Sequence, residues 1–130
     1  QHMVNVFAAV ILGPWWGVGI AFCASLIRNL LGIGSLLAFP GSMVGALCCG
    51  LVYKKCRILS RTCLAEAIGT GILGGIAAYP VARFLMGAAP AGLFVYVIPF
   101  LISTVAGSIL AFILISILQK SGVMSQLTTA

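Results

Sequence analysis

Few side chains in this sequence can move a proton. Among 130 residues there is one acid, Glu66, one histidine, His2, and no aspartate. Acid–base catalysis by paired carboxylates needs two acids, and no Ser/His/Asp set can be assembled. No G-x-x-x-x-G-K-S/T loop is present, so the chain carries no P-loop for ATP. The five cysteines, Cys23, Cys48, Cys49, Cys56 and Cys63, lack metal-ligand spacing. They are expected as free thiols packed as small hydrophobes. A non-enzyme with no catalytic residue, no metal and no cofactor is the expectation. What remains is hydrogen-bonding and aromatic chemistry: Gln1, His2, Asn5, Arg28, Asn29, Ser35, Ser42, Tyr79, Arg83 and Tyr96. Such a mix lines small-molecule pockets when the fold brings it together. Taken singly, each has a simpler role in snorkelling or interfacial anchoring, except His2 and Asn5, which have no obvious anchoring role.

The elements that must position these groups are apolar. Hydrophobic residues make up 62% of the chain, charged residues 6%, and the mean hydropathy is +1.26. These values point to an all-α, polytopic bundle in lipid, read as a single integral membrane domain over residues 1–130. Continuous apolar runs argue against a barrel, whose strands alternate in polarity. Five apolar segments separate: Met3 to Leu12, Trp15 to Leu31, Leu36 or Gly41 to Tyr53, Cys63 to Met86, and Gly92 to Leu118. The first is only ~15 Å long as a helix and cannot cross the ~30 Å core unaided. Gly13-Pro14 ends it, because Pro14 lacks an amide donor. Trp15 and Trp16 suit an interfacial anchor. The tail beyond Lys120 is polar and is expected to fray.

Four of the seven basic residues fall within Lys54–Arg61, a short stretch between two apolar runs. Such a loop stays in the cytoplasm. Propagated outward, this puts Gly13-Pro14 and Lys120 inside. Gln1, the loop Gly34–Gly41 and the far ends of the last two segments lie outside. The net charge of +6 and the pI near 9.4 are then explained by orientation rather than by nucleic acid. The ten polar and aromatic candidates converge toward the outer side, where they would form an externally open pocket. The chain starts Gln1-His2 outside, with nothing resembling a signal peptide. It is therefore expected to continue a longer protein with one more upstream helix, six in all.

Two further readings concern packing and the lone acid. Small residues recur at i, i+4 in Gly41 and Gly45, and in Ala67, Gly71 and Gly75; such stripes bring helices close in lipid, within the bundle or against another subunit. Glu66 is an intramembrane acid and a functional candidate by default. Its position about one turn into the fourth segment equally fits a dipole-stabilised carboxylate within reach of Arg57 or Arg61.

Several stretches resemble a known family in order and spacing. They are Gln1-His2-Met3-Val4-Asn5-Val6, Leu12-Gly13-Pro14-Trp15, Arg28-Asn29-Leu30-Leu31-Gly32, Ser35-Leu36-Leu37-Ala38-Phe39-Pro40-Gly41-Ser42 and Ala65-Glu66-Ala67-Ile68-Gly69-Thr70-Gly71. Together they are similar to the substrate-binding S component of energy-coupling-factor vitamin transporters, the thiazole-specific ThiW-like type. The resemblance implies six helices in the cell membrane and an external site lidded by the first loop. It also implies a small-molecule substrate, hydroxyethylthiazole, and partners in a transmembrane coupling subunit and two ATPase subunits. Two rivals stand beside it: a self-sufficient proton-coupled carrier using Glu66, and a ligand-free structural or assembly subunit.

Overall fold

The computed structural model describes residues 1–129, and every regular element among them is helical. Helix α1 is His2–Leu12, α2 Pro14–Leu30, α3 Ala38–Cys56, α4 Leu59–Leu85, α5 Val97–Lys120 and α6 Val123–Thr129. The five apolar segments thus fold as five helices close to their expected limits. Two of them, α4 and α5, are long and apolar enough to cross a bilayer by length and composition.

The breaks are chemical. Gly13 has φ 90°, a left-handed value that favours glycine, and Pro14 follows as the first residue of α2. The third helix starts at Ala38, so the second half of the expected Gly34–Gly41 loop, Ala38–Gly41, is helical. Pro40 is tolerated there because first-turn amides have no intrahelical partner. Helix α4 is not uniformly wound: Ala67–Gly74 and Val81–Leu85 take the wider π-helical spacing. Gly69, Gly71 and Gly74 weaken the first of these turns, and Pro80, which cannot donate, precedes the second.

Both small-residue stripes point into the bundle. A methyl group on Gly74 would lie 2.5 Å from Gly41 Cα, so α3 and α4 meet backbone to backbone. A methyl on Gly75 would lie 2.8 Å from Val97 Cα at the start of α5. Close approach of this kind is how helices associate where lipid is as apolar as leucine.

The distribution of polarity is that of a membrane protein. Asn5, Ser25, Ser42, Thr62, Glu66, Thr70, Thr104 and Ser108 are all buried, while Trp15, Trp16, Phe84, Ile98 and Ile102 are more than two-thirds exposed. Buried cysteines are Cys49 and Cys63; Cys23 is exposed on α2, contrary to the expectation that all five pack inside. Toward the end bearing Lys54–Arg61, here the basic end, an apolar cluster of Val6, Ala9, Val10, Cys49, Leu59, Cys63, Ala111 and Ile115 closes the bundle. Met124 joins this cluster. The tail expected to fray instead forms α6, because burying Met124 offsets the cost of ordering it.

Candidate functional site

At the end opposite the basic loop the helices enclose a cavity of about 430 Å³, lined by Gln1, His2, Arg28, Ile33, Gly34, Ser35, Ala38, Ser42, Thr70, Phe100 and Ser103. Five helices and one loop contribute. His2 is set by the start of α1, where Gly107 of α5 leaves room: a methyl there would lie 2.8 Å from His2 Cβ. Arg28 closes α2 and reaches across to Gln1 Oε1 and, at 3.4 Å, to the carbonyl of Ile33. Asn29 donates to the carbonyls of Ser25 (2.9 Å) and Ser35 (3.1 Å), which ties the 31–37 loop to α2. Phe100 supplies the aromatic wall.

Beneath the cavity runs a buried hydrogen-bond network. Gln1 Nε2 donates to Ser25 Oγ (2.6 Å) and Ser42 Oγ (2.9 Å). Asn5 Nδ2 donates to Ser42 Oγ (3.0 Å) and to Glu66 Oε1 (3.1 Å). The same carboxylate oxygen accepts from Thr70 Oγ1 at 2.9 Å and stands 3.3 Å from His2 Nδ1. Thr104 Oγ1 reaches the Glu66 carbonyl at 3.4 Å. Glu66 is fully buried, and its Oε2 is one of two buried side-chain atoms without a partner among the described residues. Three contacts on one oxygen offset the desolvation of a buried carboxyl, and an incomplete network of this kind is costly to keep. It also sits where α4 widens into its first π turn, a distortion that recurs at functional sites.

This placement corrects the reading of Glu66 as a carboxylate held by Arg57 or Arg61. The fourth helix begins at Leu59, so Glu66 lies two turns inside it. Arg61 is five residues away, on a different face at 3.6 residues per turn, and its Nη1 lies 3.9 Å from Cys56 Sγ. Arg57 ends α3 in a left-handed conformation (φ 55°). The partners of Glu66 come instead from α1 and from its own helix.

Of the ten candidates read from sequence, Gln1, His2, Arg28, Ser35 and Ser42 line the cavity. Asn5 lies just below it and Asn29 holds its loop. Tyr79, Arg83 and Tyr96 stand elsewhere: Arg83 Nη1 donates to Tyr79 Oη at 3.0 Å on an exposed stretch of α4, and Tyr96 caps the start of α5. Sequence reasoning weighed Glu66 as a functional candidate but did not place it beside the pocket, and it passed over Thr70, Phe100 and Ser103. A usable signal existed on α5. Phe100, Ser103, Thr104, Gly107 and Ser108 follow an i, i+3, i+4, i+7, i+8 stripe on an otherwise apolar helix, which marks the face turned inward.

Residues 1–121 match a protein family described as thiamine-precursor transporter protein (ThiW). No curated protein and no solved structure matches the chain.

Proposed function

The chain belongs to the ThiW family of thiamine-precursor transporters, and from that premise we propose that it is the substrate-capture subunit of an ATP-driven importer, taking up hydroxyethylthiazole. The observation that carries this reading is the cavity. Its volume of about 430 Å³ falls in the range of small-molecule sites. An aromatic face at Phe100 suits a flat heterocycle, and Gln1, His2, Arg28, Ser42 and Ser103 offer hydrogen bonds to its nitrogen and hydroxyl. Asn5 and Asn29 hold this set in place, while Tyr79, Arg83 and Tyr96, which do not line the cavity, serve as interfacial anchors.

In this reading the chain is a multi-pass protein of the cell membrane, with Lys54–Arg61 in the cytoplasm and the cavity open to the outside. The apolar cluster at the basic end separates the cavity from the cytoplasm. Inward release therefore requires α1, α4 and α5 to rearrange. With no P-loop of its own, the chain draws that work from a transmembrane coupling subunit and two ATPase subunits. One observation favours a second reading, a proton-coupled carrier: the sole acid and the sole histidine lie side by side next to the cavity.

Native mass spectrometry of the protein released from detergent tests the ligand. A single added mass equal to hydroxyethylthiazole, displaced by excess of that compound and not by the hydroxymethyl pyrimidine, is expected. Saturable binding of the pyrimidine alone would replace the substrate. Binding of neither would remove the transport-site reading.

A further inference from the structure

We propose that Glu66, although it does not line the cavity, decides which hydrogen bonds the cavity offers, and thereby selects ligands that donate a hydroxyl. The inference rests on the thiazole-alcohol reading above and deepens it.

A carboxyl oxygen that carries no proton accepts hydrogen bonds and donates none, and Glu66 Oε1 is placed as such an acceptor. Every polar group touching Glu66 Oε1 must therefore turn a proton toward it. Thr70 does so with its hydroxyl at 2.9 Å and Asn5 with its amide at 3.1 Å. His2 faces it through Nδ1 at 3.3 Å. A neutral imidazole donates at one ring nitrogen and accepts at the other, and the partner of one nitrogen fixes the role of the other. With Nδ1–H directed at Glu66, Nε2 keeps its lone pair. No hydrogen bond to Nε2 is made by the described residues, nor is it among the buried atoms left without a partner. It is thus open, on a side chain that lines the cavity. Thr70, its proton spent on Glu66, likewise shows the cavity an acceptor.

The part of the cavity floor made by His2 and Thr70 therefore consists of acceptors. A primary alcohol satisfies it; an isostere without the O–H leaves His2 Nε2 unpaired after desolvation. Rejection of a ligand that lacks a needed donor is among the stronger forms of discrimination, because the site's own polar group is what pays. Glu66 acts here as a positioning residue and His2 as the contact.

Two measurements on the full-length protein in nanodiscs test this. The first compares hydroxyethylthiazole with its 2-fluoroethyl analogue, nearly the same size but with no O–H. The alcohol should bind about five- to 150-fold more tightly, and the ratio should fall to within about twofold in His2→Phe. Equal affinity for the two probes in the native protein overturns the acceptor floor while leaving thiazole capture intact. A ratio that survives His2→Phe removes His2 as the contact. Binding of neither probe defeats the capture reading and this inference together. The second is ¹⁵N NMR of the imidazole, which needs no assignment because the chain has one His. The Nδ1–H tautomer is expected in the native protein, moving toward Nε2–H in Glu66→Leu, which leaves no acceptor there. An imidazolium, or an Nε2–H tautomer in the native protein, overturns the proposal even if the variant is poorly folded.

Discussion

Asn5 is the residue on which the polar interior turns. It is fully buried and bridges α3 to α4 by donating to Ser42 and Glu66 at once. Asn5→Ala removes both donations and should cost about 1–3 kcal/mol of stability, together with weaker ligand binding. Asn5→Asp should be worse, since it sets a second carboxylate about 3 Å from the first, where both cannot be ionised cheaply. Thermal unfolding in detergent gives the order; an aspartate variant as stable as the alanine variant would contradict the contact. Asn5 was legible in the sequence as a polar residue without an anchoring role. Its partner was not, because a contact between residues 61 positions apart leaves no local trace. Glu66 was misjudged for a related reason. Its depth depends on where α4 starts, and the start at Leu59 sits four residues before the apolar run that marked it.

At the scale of the element, apolar runs and their Gly-Pro punctuation were enough to place five helices, since helix ends follow from missing donors and strained φ values that single residues announce. The π turns of α4 were not legible: they arise where glycines lower the helix's own preference and neighbouring backbones press in, which is a tertiary condition. That pressing can be tested. Gly74→Ala drives a methyl into the Gly41 backbone, which has no flexible side chain to yield. The helices must part, at a cost of about 1–3 kcal/mol. Gly19→Ala adds the same methyl to α2 with nothing within 4 Å of it, and the better helix propensity of alanine should leave stability unchanged or raised by up to about 1 kcal/mol. Melting temperatures of the two variants, read by loss of monodisperse protein on heating, should therefore separate in opposite directions. Similar losses in both would mean that α3 and α4 do not meet at Gly74.

The molecule as a whole is built with polar groups inside and apolar ones outside, and the ends are marked by charge. If the basic end faces the cytoplasm, Cys56 beside Arg61 should react with a membrane-impermeant thiol reagent in inside-out vesicles and not in intact cells; the reverse pattern would turn the cavity inward and reverse the direction of capture. The same asymmetry separates the two transport mechanisms. A proton-coupled carrier must titrate a group along its pathway, and Glu66 is the chain's sole acid, held beside the cavity by His2, Asn5 and Thr70. Glu66→Gln keeps its shape and its main acceptor but abolishes its titration. A partner-driven subunit has a different requirement. Its cavity is shut off by the apolar cluster at the basic end, and opening that cluster exposes buried Val6, Val10 and Ile115, for which a pH gradient offers no compensation while a docked subunit does. Uptake of radiolabelled hydroxyethylthiazole into proteoliposomes holding this subunit alone, under an imposed pH gradient, should therefore stay at background in both the native protein and Glu66→Gln. Uptake should rise only when the coupling and ATPase subunits are added with ATP. Gradient-driven uptake by the native protein alone, lost in Glu66→Gln, would instead make the buried acid the engine and the chain a carrier in its own right.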